Sequence, residues 1–139
     1  MRRFIIASHA HFAQGIAEAL AFLVGEREDV STLCLFVDGN DDVASVVSAA
    51  VEEAGDDEVV ACCDILGGSV CNEFVKLLPG HPNLHVVANM SLPLLITLLF
   101  SDAADPVEGV VRGAVASADV APKYVNDLVA LEGSDEDEF

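Results

Sequence analysis

The chain has 139 residues, 53% of them hydrophobic, which suits one ordinary domain with ample material for a core. Its 24 acidic side chains stand against 6 Lys plus Arg, and the formal charge of −18 repels nucleic acid and anionic membrane, so neither is an expected partner. No stretch approaches the ~20 apolar residues of a bilayer span, and the apolar run at 4–7 is too short for a signal segment, so a cytoplasmic protein is expected.

Arg3-Phe4-Ile5-Ile6-Ala7-Ser8-His9 carries a continuous apolar run, the pattern of a strand buried on both faces of a parallel sheet. Helical spacing follows at Phe12, Ile16, Leu20, Leu23 and Val24, closed by Gly25. Residues 32–37 form a second buried strand, ended by the turn residues Asp38-Gly39-Asn40. Asp41 or Asp42 then caps a helix whose apolar face is Val43, Val46, Val47, Ala50, Val51 and Ala54. A third strand at 59–64 runs into Ile65-Leu66-Gly67-Gly68-Ser69, where Ser69 is the expected cap of a helix through Leu78, stopped by Pro79-Gly80. Residues 84–88 make a fourth strand. Ser91 caps a core helix at 92–100, with Pro93 in its first turn, where a missing N–H costs nothing. A weaker helix is expected over 106–118, and 123–125 looks like a short fifth strand held to an edge by Pro122.

Residues 1–131 thus make a single domain. The remainder, 132–139, holds Asp135-Glu136-Asp137-Glu138 and reads as a solvated, disordered tail, with docking to a basic partner as its functional alternative. Cys34, Cys62, Cys63 and Cys71 form no Cys-x-x-Cys pair and read as small core hydrophobes in a reducing compartment. No metal site and no cofactor is expected.

Strands alternating with helices define an α/β fold, a doubly wound, mainly parallel four-stranded sheet with helices on both faces. Spacing does not dictate strand order. With the order 2-1-3-4, strands one and three straddle the switch point where such sheets bind ligands. His9 and Asp64 then emerge side by side, with Gly67, Gly68 and Ser69 next to them. A neutral imidazole can attack phosphorus if one nitrogen is free and the other keeps its proton, and a carboxylate on that N–H stabilises the growing positive charge. Gly67 and Gly68 would let the backbone approach phosphoryl oxygens, and Ser69 adds a hydroxyl. Each element also has a plainer role: His9 as a polar strand end, Asp64 as a turn cap, Gly-Gly-Ser as a tight turn. His11 is a rival nucleophile, better placed inside the first helical turn, while His81 falls in a loop and His85 opens the fourth strand.

Three segments carry a resemblance. Ile6-Ala7-Ser8-His9-Ala10-His11-Phe12-Ala13-Gln14-Gly15 resembles the phosphorylation site of IIA components of the mannose-type (mannose/fructose/sorbose) phosphoenolpyruvate:sugar phosphotransferase system. Asp64-Ile65-Leu66-Gly67-Gly68-Ser69-Val70-Cys71-Asn72 is similar to that family's Asp-x-x-Gly-Gly-Ser-x-x-Asn motif, and Val87-Ala88-Asn89-Met90-Ser91-Leu92-Pro93-Leu94-Leu95 to its third. The match runs from Met1 to about Leu131. The resemblance implies a cytoplasmic phosphotransferase whose phosphohistidine is His9, receiving its group from HPr and passing it to a IIB component for coupled sugar uptake. It also implies Asp64 as the orienting carboxylate, Ser69 as a donor to the phosphoryl group, and a homodimer, often with an exchanged fifth strand. The apolar run at 92–100 is rich enough to serve an interface as well as a core. One departure stands out: the family's Gly after the histidine is Ala10 here, which adds a methyl at the pocket rim. Two alternatives remain. The phosphotransferase subunit of dihydroxyacetone kinases shares the fold, but its Asp-Met-Gly-Ser loop is shorter than this one. A regulatory module could hold an anion in the same pocket without turnover.

Overall fold

In the computed structural model, which describes residues 1–131, the apolar runs form four parallel strands. They are β1 (Arg2–His9), β2 (Val30–Leu35), β3 (Glu58–Cys63) and β4 (Leu84–Val87), in the order β2-β1-β3-β4. Side chains alternate between faces, so each strand feeds two cores. Phe4, Ile6, Val60 and Cys62 pack with Ile16, Leu20, Leu94 and Leu98 from α1 (Phe12–Val24) and α4 (Leu92–Leu99). Ile5, Ala7, Val59, Ala61 and Cys63 pack on the other side with Val47, Val51, Val70 and Phe74. Those last four belong to α2 (Val43–Glu53) and α3 (Ser69–Val75), so helices cover both faces as expected. Further helices follow as α5 (Val107–Ala116), which joins the first core, and α6 (Val125–Leu131).

The caps show how local chemistry sets the boundaries. Asp42, not Asp41, starts α2 by accepting the Ser45 N–H, and Ser91 starts α4 by accepting that of Leu94. Ser69 departs from expectation: Gly68 holds the cap position of α3, and Ser69 is its first helical residue. The helix also ends at Val75 rather than Leu78, and a 3₁₀ turn at Leu78–Gly80 takes up the proline.

Two further expectations are corrected. Among the described residues the sheet has four strands, and the expected fifth is absent: 123–124 are irregular and Val125 opens α6. Tyr124 and Val125 are 66% and 54% exposed, so their β preference meets no packed face, and Asp127 in the first turn suits the helix dipole. In α1 the core stripe is Ala13, Ile16 and Leu20, while Phe12 and Leu23 are exposed. Small Ala13 lets the helix sit close to the sheet. The α4 run commits Leu94, Leu95, Leu98 and Leu99 to the chain's own core and leaves Phe100 outside. The acidic tail, 132–139, lies outside the described residues.

Candidate functional site

Strand register delivers the site. Ala7 pairs with Cys63, so β1 runs on past its β3 neighbour, and His9 stands beside the first residues of the loop that follows β3. Buried Ser8 secures the turn: its hydroxyl oxygen accepts the Ala13 N–H at 2.6 Å, satisfying an otherwise orphaned donor of α1. Ala10 then turns the chain with φ of 51°, in the left-handed region. The Gly-to-Ala departure is therefore a matter of backbone strain as much as of pocket shape.

Asp64 Oδ2 accepts both the backbone N–H of His9 (2.8 Å) and its ring Nδ1–H (2.7 Å). An ionised carboxylate can only accept, so Nδ1 carries a proton, which in the neutral ring leaves the lone pair on Nε2. Ser69 Oγ lies 3.1 Å from Nε2, where its hydroxyl donates. The Asp64 side chain is 12% exposed and that of His9 40%, so the acid is enclosed while the ring edge stays open. Burial alone would raise the Asp64 carboxyl. Hydrogen bonds from the His9 N–H, the His9 ring and the Ile65 N–H outweigh it and hold the group below the usual carboxylate range.

The loop between Asp64 and Ser69 is shaped for this ring. Gly67 adopts φ of +77°, and a methyl on Gly68 would fall 2.9 Å from Ile65 Cγ1 and 3.3 Å from His9 Cε1. Only glycine fits Gly68 without crowding the imidazole. The third motif supports the same loop from β4, where Asn89, itself left-handed at φ of 61°, accepts the Leu66 N–H at 3.0 Å.

All five expected site residues therefore converge. His11 does not join them: it sits at the cap position of α1 with Nε2 2.8 Å from Asp38 Oδ2, on the rim. His81 pairs with Glu52, and His85 with Glu58 at the start of β3, far along the sheet from His9. The four cysteines are free, and burial pushes the Cys62 thiol up to about 12 and that of Cys63 higher still, so neither is a thiolate nucleophile near neutral pH. One residue escaped sequence reasoning. Phe36, just past β2, stacks its ring on the His9 imidazole with centroids 5.5 Å apart and planes inclined by 16°. Its only sequence signal was an aromatic beside the turn residues Asp38-Gly39-Asn40.

Residues 3–115 match the family described as the PTS system fructose IIA component. The chain belongs to this family. Among solved structures, a Klebsiella pneumoniae protein provisionally assigned as a phosphoenolpyruvate-dependent sugar phosphotransferase system permease is 36% identical, with a TM-score of 0.85 over 92% of this chain and 93% of that one. The IIA protein associated with the fucose utilization operon of Streptococcus pneumoniae is 26% identical, at 0.75 over 91% and 96%. The mannose/sorbose-specific IIA subunit of Enterococcus faecalis is 24% identical, at 0.73 over 82% and 86%, a likeness of fold. The TM-scores show that these proteins share the fold of this chain. Among the described residues, no helix of this family member is long and apolar enough to cross a membrane.

Proposed function

We propose that this IIA component is a cytoplasmic phosphocarrier that takes a phosphoryl group from phosphorylated HPr onto His9 Nε2 and passes it to a IIB component. The observation that carries this reading is the fixed imidazole: Nδ1 held by Asp64 at 2.7 Å, and Nε2 facing Ser69 at the open side. In the forward step the Nε2 lone pair forms the new N–P bond. The donor's P–N bond breaks, and its electron pair returns to the donor nitrogen. The Nδ1 proton stays on His9, and its hydrogen bond to Asp64 strengthens as the ring gains positive charge.

Ser69 exchanges its hydrogen bond with Nε2 for one to a phosphoryl oxygen. Among the described residues the N–H groups of Gly67 and Gly68 meet no protein acceptor, which leaves them available to the same oxygens. Sugar selectivity rests with other components, since this pocket handles only the phosphoryl group. By family resemblance we also propose a homodimer, to be checked by light scattering at micromolar concentration.

Incubation with phosphoenolpyruvate, enzyme I and HPr tests the reading. It should place one acid-labile, alkali-stable phosphoryl group on the chain, dischargeable by a IIB component. A chain that stays unlabelled beside a labelled HPr would refute it.

A further inference from the structure

Left-handed backbone recurs around the site, and three of the residues that adopt it lie in one loop. Phe36 has φ of 67°, Asp38 56° and Gly39 83°, and Ala10, in the turn after β1, has 51°. For a bulky residue such as Phe36 the left-handed region is a true outlier. Burial does not repay it, because Phe36 remains 45% exposed. Strain that persists without burial is held by its surroundings and points to a function.

The surroundings are identifiable. The Phe36 N–H donates to Asn40 O at 3.0 Å, the Asn40 N–H to Val37 O at 2.9 Å, and Asn40 Nδ2 to Cys34 O at 3.0 Å, closing the loop on itself. Two ties lace it to the turn after β1: the Ala10 N–H donates to Leu35 O at 2.9 Å, and His11 meets Asp38 at 2.8 Å. Together they lay the Phe36 ring flat on the imidazole.

We infer that Phe36 is a positioning residue for His9, fixing the ring's rotation and favouring its phosphorylated state. The inference rests on the phosphocarrier reading above. With a proton on Nδ1 and a phosphoryl group on Nε2, the imidazole is formally cationic. The negative face of an aromatic ring within about 6 Å attracts a cation. An aliphatic side chain of similar size covers the imidazole equally well but lacks that quadrupole.

The test compares wild type with Phe36→Leu, Phe36→Met and Phe36→Tyr, each equilibrated with a fixed mixture of phosphorylated and unphosphorylated HPr. Phosphorus NMR reads the ratio of phosphorylated to free His9, and nitrogen-15 spectra of the unphosphorylated proteins read the imidazole tautomer. Leu and Met should lower that ratio about two- to fivefold and shift the ring nitrogens toward a mixture of tautomers. Tyr should retain wild-type behaviour, which a merely space-filling role would not require of Tyr alone. Wild-type ratios and tautomers in both aliphatic variants would overturn the assignment. If wild-type His9 accepts no phosphoryl group, the phosphocarrier reading is what fails. The tautomer comparison then decides the positioning role by itself.

Discussion

His9–Asp64 and His85–Glu58 are both imidazole–carboxylate pairs at the same 2.7 Å separation, yet they are buried in opposite directions. At His9 the acid is enclosed (12% exposed) and the ring is open (40%); at His85 the ring is enclosed (15%) and the acid is open (46%). Enclosing the acid fixes it as an acceptor for three N–H groups and leaves one imidazole nitrogen facing outward. Enclosing the ring leaves less of it open to a phosphoryl donor. Pairing is common to both; the direction of burial is what makes His9, and not His85, the proposed nucleophile.

The largest expected break in the comparison is removal of the ring. His9→Ala should abolish phosphoryl labelling entirely, whereas His85→Ala should label as wild type and His11→Ala should largely keep the label in the same enzyme I and HPr assay.

Removing only the charge should come next. Asp64→Asn should fold normally by circular dichroism. It forfeits a charge-assisted hydrogen bond to the ring as positive charge builds, a loss of about 2–3 kcal/mol that slows single-turnover transfer roughly 30- to 150-fold. Glu58→Gln should transfer at the wild-type rate. Equal rates in the two variants would erase the distinction drawn between the pairs.

Crowding the ring tests its freedom rather than its charge. Gly68→Ala brings a methyl against Ile65 and the Cε1 edge of His9, and a displacement of a few tenths of an ångström should slow transfer on the order of tenfold.

Ala10→Gly should sharpen the comparison through stability. A left-handed alanine costs about 1–2 kcal/mol, against about 0.4–1 kcal/mol for glycine's extra freedom when unfolded. Denaturant unfolding should show a net gain of about 0.5–1 kcal/mol, with transfer close to wild type.

The smallest effect is in acid. The Asp64 carboxyl is lowered in the folded chain, so the stability it contributes is complete above the unfolded value of about 3.9 and drains away as pH falls through the lower folded value. Below about pH 4, wild type should lose stability more steeply than Asp64→Asn in urea titrations at successive pH values. Parallel slopes would mean that the carboxylate gains nothing from its three donors.

Much of this was legible in the chain itself. The apolar runs ending at His9 and Asp64, and the Gly67-Gly68-Ser69 sequence after them, marked the strands and the residues that meet. The choice between Asp41 and Asp42, the exposed Phe12 and Leu23, and the end of α3 at Val75 were settled by packing and turn geometry that spacing does not encode. The expected strand at 123–125 failed because the β preference of Tyr124 and Val125 meets no packed face.

By itself, the sequence determined the alternation of buried strands and amphipathic helices, because burial writes periods of two and of 3.6 into neighbouring residues. It also marked the side chains proposed here to do phosphoryl chemistry. Only the tertiary structure decided that Asp64 accepts the Nδ1–H hydrogen bond, that Ser69 faces Nε2 instead of capping a helix, and that Phe36 lies on the ring. Those contacts join residues 55 and 60 positions apart along the chain, or turn on left-handed backbone at Ala10 and Phe36. Distances of that kind are set by strand register and loop lacing, which no local pattern of residues contains.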